Sequence, residues 1–354
     1  MTQHFRGLST ICVLAMFTAT SALADGSDLT VFDWSGYEDE GFYGAYVAAY
    51  GSAPSYSYFG SQEEAFTKLQ SGFEADLAHP CTDAVRKWVA ADLLQPLDTS
   101  RLKNWDKLLP QIKEVDGVVI DGTAYMMPFE WGNTGLIYRT DLISGDDVSL
   151  QLMADPAYKG KISVADSASS AYALAALATG AKNSYTNMSD DEFQAASDFL
   201  RSIHPNVRFY WSDGGQFDQA MASGEIEMGW AWNQSELNLI WNETPAIMVK
   251  DTEKGIATWV CGYVHLKSST MPDDQIYDML NALSDVNSGQ YIIENWGYAH
   301  ANAEAYDVVD GETLAAYGFD DVDKFFAGSL FFDAVTPSLE SKMLNEFERI
   351  KSGF

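Results

Sequence analysis

The sequence is poor in basic residues. Its 354 residues include 21 lysines and arginines against 51 aspartates and glutamates, which gives a formal net charge of −30 at pH 7. A surface of this charge repels nucleic acids and anionic lipids and raises the local concentration of cations. We therefore expect no nucleic-acid partner, and the alternative explanation of the charge is that it keeps the protein soluble.

Cysteine and histidine are also scarce, with three and five residues in the whole sequence. Cys12 lies in an N-terminal segment that we expect to be removed. The remaining pair, Cys81 and Cys261, is too small a set to define a disulfide scaffold, and the sequence leaves open whether the two cysteines pair. None of the later histidines has another histidine, cysteine or glutamate at the spacing of a zinc site, so we predict no metal.

The motifs of common catalytic and nucleotide-binding sites are absent as well. No nucleophile elbow G-x-S-x-G, P-loop or dinucleotide-binding glycine fingerprint follows a predicted strand. We therefore predict no enzymatic activity, no catalytic residues and no cofactor. The alternative from this class is an extracellular hydrolase that uses Asp166 or Glu130 with a nearby acid, and no motif supports it.

The N-terminus has the pattern of a secretory signal peptide. His4 and Arg6 precede an apolar run over residues 8–22, and Ala22-Leu23-Ala24 is a small-x-small cleavage site. We expect residues 1–24 to be the signal peptide, cleaved after Ala24, and the mature protein to lie outside the cytoplasm. No other stretch of the sequence reaches transmembrane length.

Short apolar strands alternate with helical patterns along the mature chain, which is typical of an α/β fold with largely parallel sheets. Strands are predicted at residues 29–32, 75–78 and 225–233, and a polar loop is expected after the last. Ser61 and Glu64 have the spacing of a capping box. Helices are predicted at residues 41–50, 61–71, 169–179, 190–202, 216–223, 273–284 and 338–351, with another entered by the segment HPCTDAVRKWV.

Aromatic residues are concentrated where predicted strands meet loops. The segments are FDWSGY (32–37), MPFEWGNTG (127–135), YWSDGG (210–215), GWAWNQS (229–235), IATWVCGY (256–263) and ENWGYAH (294–300). In the second segment we expect Pro128 to end an extended stretch and Trp131-Gly132 to lie at a turn. Ligands of an open parallel sheet bind beyond the carboxyl ends of its strands, and aromatic faces attract cations. The pattern therefore predicts an aromatic site for a cation.

These segments resemble, in order and spacing, the periplasmic polyamine-binding proteins of ABC importers, the spermidine/putrescine-binding family. The resemblance covers essentially the whole mature chain, and LQPLD followed by PFEWGNTG is its most specific pair. It implies a two-lobed periplasmic binding protein fold, in which each lobe is a mostly parallel sheet flanked by helices. Lobe 1 would comprise residues 25–137 and 263–305, and lobe 2 residues 138–262 and 306–354. Hinge crossings near residues 137, 262 and 305 would close the lobes over the ligand.

The resemblance also implies which residues contact the ligand. Trp34 and Tyr37 match aromatic residues of the first lobe, Trp232 and Trp259 match those of the second, and Tyr298 matches a tyrosine of the last crossing. The positions that match the family's cleft are, in full, Trp34, Tyr37, Cys81, Trp131, Ser212, Trp232, Trp259, Cys261 and Tyr298. Cys81 lies where the family commonly has a serine, and Ser212 matches a polar contact.

Three acidic positions of the polyamine binders are neutral in this chain: Ser167, Ser170 and Cys261. Burial of an ammonium group without a carboxylate costs several kcal/mol. The candidate substitutes are three acids that fall near ligand contacts of the family: Asp83, Glu130 and Asp333. The alternatives are that Asp83 caps a helix and that Asp333 is a surface acid.

The function implied is that of the extracytoplasmic solute-binding component of an ABC importer. It would capture a polyamine, putrescine or spermidine, and deliver it as a monomer to permease subunits in the inner membrane. The alternative within the same role is another cationic or zwitterionic amine, such as a betaine or sulfonium compound, an opine or an aminophosphonate. An aromatic cage that has lost acids would accommodate these ligands.

Overall fold

The computed structural model describes residues 25–144, 148–181, 185–249 and 255–354. The predicted signal peptide lies outside these ranges. Within them, no helix has both the length and the apolar character needed to cross a membrane. The fold is α/β, as predicted.

Fourteen strands lie within the described residues, and two of them are much longer than the rest. The strands are β1 (Thr30–Asp33), β2 (Ser55–Tyr58), β3 (Leu77–Ala78), β4 (Leu94–Gln95), β5 (Val119–Ile120), β6 (Thr123–Ala124), β7 (Met126–Arg139), β8 (Ile162–Ala165), β9 (Val207–Trp211), β10 (Met228–Trp232), β11 (Ala246–Val249), β12 (Ile256–Leu266), β13 (Ala299–His300) and β14 (Ser329–Phe331). The two long strands, β7 and β12, form the centre of the molecule.

The α-helices of the described residues agree with the predicted set and add to it. They are α1 (Gly44–Tyr50), α2 (Gln62–Gln70), α3 (Thr82–Ala90), α4 (Pro110–Glu114), α5 (Ala168–Thr179), α6 (Asp190–Ile203), α7 (Gly214–Ser223), α8 (Asn233–Trp241), α9 (Asp273–Leu283), α10 (Val286–Trp296), α11 (Gly311–Tyr317), α12 (Val322–Ala327) and α13 (Pro337–Lys351). Every helix predicted from the sequence is present within a few residues of its expected ends.

Twelve of the strands in the described residues form one mixed sheet, whose main order is β2-β1-β3-β12-β7-β10-β8-β9. At one end β1 pairs in parallel with β2 and β3, and at the other end β8 pairs in parallel with β9 and β10. Between these two parallel groups, β12 and β7 run antiparallel to each other and to their outer neighbours. β12 is buried along its whole length and β7 along its first twelve residues. The core therefore surrounds the two strands that connect the parallel groups.

β7 shows that one local prediction was wrong. Pro128 does not end the extended stretch and Trp131-Gly132 is not a turn, because all three residues lie inside the strand. Pro128 lies opposite Gly262, where the register of β7 against β12 shifts by one residue. Proline has no N–H to donate, and an irregularity in the ladder is a place where a strand accepts it.

Two helix starts also differ from the prediction. Ser61 caps α2 by accepting a hydrogen bond from the Glu64 amide at 3.1 Å, but the Glu64 carboxylate accepts from Gly60 at 2.8 Å. Only half of the predicted capping box is therefore made. The expected polar loop after β10 is instead helix α8, which begins at Asn233. No side chain caps this helix, so the usual sequence signal for a helix start is missing.

Candidate functional site

A cavity of about 370 Å³ lies at the carboxyl ends of strands from both parallel groups. Trp34 and Cys81 enter its wall from the segments after β1 and β3, and Asp166 and Ser212 from the segments after β8 and β9. Trp232, at the end of β10, completes this set of strand ends. Ligands of α/β sheets bind at this edge. The cavity is therefore the candidate ligand site.

Aromatic rings form much of the cavity wall: Trp34, Tyr37, Tyr58, Phe59, Trp211, Trp232, Trp259, Trp296, Tyr298 and Phe332. The rings are held by contacts behind the wall. The Trp34 indole N–H donates to the carbonyl of His79 at 2.9 Å, and Trp259 packs edge-on against Tyr298 with ring centroids 4.9 Å apart. Such an aromatic wall can hold methylene groups and attract a cation.

The two central strands supply the floor of the cavity. In the register of β7 against β12, Trp259 lies opposite Gly132, and Cys261 lies opposite Glu130. Side chains of directly opposite residues share one face of a sheet. A Cβ atom at position 132 would lie 2.5 Å from the Trp259 ring. The glycine therefore allows the indole to lie across β7 beside Glu130.

Cys81 and Cys261 form a disulfide, which settles the question that the sequence left open. The bond joins the segment after β3 to β12, and both cysteines line the cavity. The amide N–H of Cys81 donates to Gln62 Oε1 at 2.7 Å, and Gln62 Nε2 donates to Asp83 Oδ1 at 2.8 Å. An uncharged disulfide therefore occupies the floor next to Glu130.

Glu130 is the most deeply buried acid of the cavity wall, with 1% of its surface exposed. The Tyr37 hydroxyl donates to its Oε1, whereas Oε2 has no hydrogen-bond partner among the described residues. Burial raises the pKa of Glu130 to about 7, opposed by the nearby His79 and by the bond from Tyr37. A buried carboxylate oxygen without a partner is a strong acceptor for an ammonium group.

The other carboxylates of the cavity wall are Glu63, Glu64, Asp166 and Asp213. Three of these are engaged: Glu64 pairs with Lys68 at 2.7 Å, Asp166 pairs with Lys351 at 2.5 Å, and Asp213 caps α7. In the part of the chain that the structure describes, no lysine or arginine lines the cavity. The wall therefore favours a cation over an anion.

Comparison with known proteins identifies the family. The profile of the bacterial extracellular solute-binding proteins matches residues 53–260. The chain belongs to this family. The putrescine-binding periplasmic protein PotF of Escherichia coli K12 is 24% identical over 98% of this chain and 97% of the relative. A spermidine/putrescine-binding periplasmic protein of the same strain is 25% identical over 88% of each chain.

Solved structures show the same fold. A putative spermidine/putrescine ABC transporter from Listeria monocytogenes superimposes with a TM-score of 0.80 at 25% identity, covering 91% of this chain and 98% of the other. The binding protein MotA from A. tumefaciens B6 in complex with glucopine gives 0.73 at 17% identity, covering 91% and 99%. The predicted two-lobed binding-protein fold and a transport role without catalysis are confirmed.

Most of the sequence-predicted site residues of this family member come together at the cavity: Trp34, Tyr37, Cys81, Glu130, Ser212, Trp232, Trp259, Cys261 and Tyr298. Trp131 does not. It is fully buried, its Nε1 donates to the Tyr306 hydroxyl at 3.1 Å, and its ring packs on Phe326. Side chains alternate along a strand, so Glu130 and Gly132 share the cavity face while Trp131 points to the opposite face.

Two predicted acids also lie off the cavity wall. Asp83 is in the first turn of α3 behind Gln62, and burial raises its pKa to about 7. It does not provide the side-chain cap of α3 either, because that helix has none. Asp333 follows the wall residue Phe332, and burial raises the pKa of its carboxyl group. Of these two acids, Asp83 accepts a hydrogen bond from the wall residue Gln62 without lining the cavity itself.

Several wall residues were missed by sequence reasoning, among them Gln62, Glu63, Gln234 and Trp296. Gln62 and Glu63 begin a helix soon after β2, so the rule that ligands bind at strand ends could have found them. Gln234 and Trp296 lie inside two of the aromatic segments that the sequence singled out. Ser167 and Ser170, identified as neutral replacements for acids, do line the cavity at the start of α5.

Proposed function

We propose that this protein is the extracytoplasmic solute-binding component of an ABC importer and that it captures a polyamine, putrescine or spermidine, in the cavity. The observation that carries the proposal is the buried carboxylate of Glu130 in an aromatic wall, where the described residues provide neither a partner for its Oε2 nor a basic side chain. The two relatives from Escherichia coli K12 are a putrescine-binding and a spermidine/putrescine-binding periplasmic protein, which supports the same ligand class.

In this proposal one ammonium group of the ligand binds Glu130 Oε2. Tyr37 holds the other carboxyl oxygen, so the carboxyl group has a fixed position before the ligand arrives. Trp34, Trp259 and Trp232 pack against the methylene groups between the charged ends. The second ammonium group extends toward Ser167 and Ser170, where hydroxyl oxygens are its available acceptors.

A zwitterionic amine is the second candidate ligand, and a specific observation favours it. The Trp259 indole N–H is buried and has no hydrogen-bond partner among the described residues. This group is a donor only, so it needs an acceptor, which the carboxylate of a zwitterion has and a polyamine lacks. The replacement of acids by Ser167, Ser170 and Cys261 is also compatible with a ligand of lower positive charge.

Isothermal titration calorimetry separates the two candidates. The panel is putrescine, spermidine, glycine betaine and an opine, titrated into the mature protein at pH 8. Binding of putrescine or spermidine at least tenfold tighter than the other two supports the polyamine assignment. Tight binding of betaine or opine with no heat from either polyamine would overturn it in favour of the second candidate.

Closure of two lobes is part of the proposal, with crossings near residues 137, 262 and 305. The change of partner along the long strands supports such crossings: β12 pairs with β14 through residues 256–258 and with β3 and β4 through residues 264–266. Small-angle scattering should give a smaller radius of gyration with saturating ligand, because hinge closure buries the ligand. An unchanged radius would contradict closure.

Location and assembly complete the proposal. Cleavage after Ala24 would release the mature chain into the periplasm, where it would meet the permease subunits as a monomer. Mass spectrometry of protein isolated from the periplasm should show Asp25 as the first residue. Light scattering after gel filtration should give the mass of one chain, and a dimer mass would contradict the monomer.

A further inference from the structure

Two buried ionisable residues behind the cavity, His79 and Asp33, have no role in ligand contact. Both side chains are fully buried. His79 Nδ1 lies 2.8 Å from Asp33 Oδ1, and its ring stacks on Tyr263 with centroids 4.2 Å apart. Its other ring nitrogen, Nε2, has no hydrogen-bond partner in the described part of the chain and lies 3.8 Å from Glu130 Oε1. His79 therefore lies between two acids, the buried Asp33 behind the cavity and Glu130 in the cavity wall.

We propose that His79 and Glu130 hold one exchangeable proton in the ligand-free cavity and that a bound cation displaces it to solvent. His79 would be a positioning residue that sets the charge of Glu130. The step is a proton transfer only: an O–H or N–H bond of the pair breaks, the proton goes to water or buffer, and the Glu130 carboxylate pairs with the ammonium group. The inference rests on the proposed function, since it requires a cationic ligand.

Burial and charge support this exchange. Asp33 already accepts hydrogen bonds from the Trp34 amide, from His79 and from the Tyr263 hydroxyl, at 2.8, 2.8 and 2.9 Å. A second bare carboxylate at Glu130, buried without a cation, would be costly. Burial raises the pKa of Glu130, and although burial alone would lower the pKa of His79, Asp33 and Glu130 raise it overall. The pair therefore retains a proton until another cation replaces it.

The other groups that face Glu130 do not titrate near neutral pH. Tyr37 from the segment after β1, Tyr263 from β12 and Tyr298 from the segment before β13 all have pKa values well above the ordinary one, chiefly because of burial. The neighbouring disulfide has no titratable proton. Among the cavity acids, burial also raises the pKa of Glu63. Glu63 is therefore the rival source of a released proton.

The expected pH dependence follows from the direction of the exchange. A bound cation stabilises the deprotonated pair, so affinity rises with pH until the ligand-free pair has lost its proton. Below about pH 7, a single proton corresponds to at most about tenfold in affinity per pH unit. Above about pH 8 the release by Glu130 fades, and the affinity loses this dependence on pH until the amino groups of the ligand begin to lose their own protons.

Calorimetry with putrescine in two buffers of different ionisation enthalpy measures how many protons are released per bound ligand. At pH 6.5 we expect release of roughly half to one proton per ligand, and close to none at about pH 8, where both amino groups of putrescine are still protonated. Glu130→Gln should abolish the release, while Glu63→Gln and His265→Gln, a buried histidine outside the cavity wall, should leave it unchanged. Binding of putrescine without release at pH 6.5, or release that disappears in Glu63→Gln and persists in Glu130→Gln, would overturn the inference while the proposed function stands.

A ligand-free measurement decides the inference if putrescine does not bind. In protein with 13C-labelled glutamate carboxyl groups, the Glu130 signal is identified by its absence in Glu130→Gln. Its titration midpoint should lie near pH 7 and move upward in His79→Gln, because a nearby positive charge is lost. A Glu130 midpoint in the ordinary range of glutamate, together with a His79 ring that is neutral at pH 6.5 by its 15N shifts, would overturn the inference. Failure of every polyamine to bind, with a near-neutral midpoint, would overturn only the polyamine assignment.

Discussion

The two sides of the cavity differ in how they handle charge. The first side, from the segments after β1 and β3 and from β7, buries Glu130, which accepts a hydrogen bond from Tyr37 and lies 3.8 Å from His79 Nε2. The second side, from the segments after β8 and β9, presents Ser167 and Ser170, and its Asp166 is partly exposed and paired with Lys351. The first side therefore keeps its acid away from solvent, whereas the acid of the second side is partly exposed to water.

This difference indicates a division of labour in recognition. A charge fixed in a buried site interacts strongly with a ligand because water does not screen it, whereas an exposed ion pair contributes little. We expect the first side to select for a cation and the second to select for length and shape through Trp232, Trp211 and hydroxyl groups. Variants that weaken the first side or add charge to the second side test this expectation.

Glu130→Gln should have the largest effect. The change keeps the shape of the side chain and removes its charge, so a buried ammonium group loses its partner. For putrescine at pH 8 we expect a loss of roughly 2–5 kcal/mol in binding free energy, measured by calorimetry. Glu304→Gln, which removes a carboxylate from a surface ion pair with Lys107, is the matched control. Polyamine binding by Glu130→Gln at the level of the unmodified protein would remove Glu130 from the site.

Loss of one ring from either side should have the next largest effect. Trp34→Ala on the first side and Trp232→Ala on the second should each weaken binding at least about tenfold, or about 1.4 kcal/mol. Trp241→Ala is the control, because this tryptophan is 48% exposed and outside the cavity wall. If only Trp34→Ala weakens binding, the second side does not contact the ligand, and the division of labour is wrong.

The site residues that lie at the end of a strand were predictable from the sequence. Trp34, Ser212 and Trp232 each follow or end a short strand, and strand ends of α/β sheets converge on one edge. Most helix positions and the α/β class were predictable for a similar reason, because they depend on local pattern. For these features the local sequence was sufficient for the prediction.

Features that depend on a residue far away in the sequence could not be predicted from the local sequence pattern. Pro128 continues β7 because β12 shifts its register at Cys261/Gly262, more than a hundred residues away in the chain. That continuation turns Trp131 into the core and places Glu130 on the cavity face. The disulfide likewise depends on how β12 lies beside the segment after β3, which brings the Cα atoms of Cys81 and Cys261 to 3.8 Å. Family position alone assigned Trp131 to the wrong face.

Ser167→Asp should strengthen the second side by a smaller amount. Ser167 caps α5 by accepting from the Ser170 amide at 3.4 Å, and aspartate is an equally good capping residue. The change therefore adds a charge while it preserves the helix start. We expect spermidine to bind roughly fivefold to tenfold tighter by calorimetry, about 1 kcal/mol. Ser167→Asn, which caps without charge, should leave the affinity unchanged, and equal effects of the two variants would show that charge is not responsible.

Lys351→Met should have the smallest effect, because it changes a charge that solvent already screens. Lys351 Nζ pairs with Asp166 at 2.5 Å and also with Glu348 at 2.7 Å, so its removal leaves the cavity acid without a counter-ion. The Asp166 side chain is 39% exposed, and exposed pairs contribute about 1 kcal/mol or less. We expect spermidine to bind at most about fivefold tighter at low ionic strength.

The salt dependence tests the reason for this gain. Lys351→Arg keeps the ion pair and should bind spermidine like the unmodified protein. At 1 M salt the Debye length falls to about 3 Å, so the gain in Lys351→Met should vanish there, while the loss in Glu130→Gln should persist because that site excludes water. If both effects vanished in high salt, Glu130 would be as screened as Asp166. The two sides of the cavity would then differ in their residues but not in how they bind a cation.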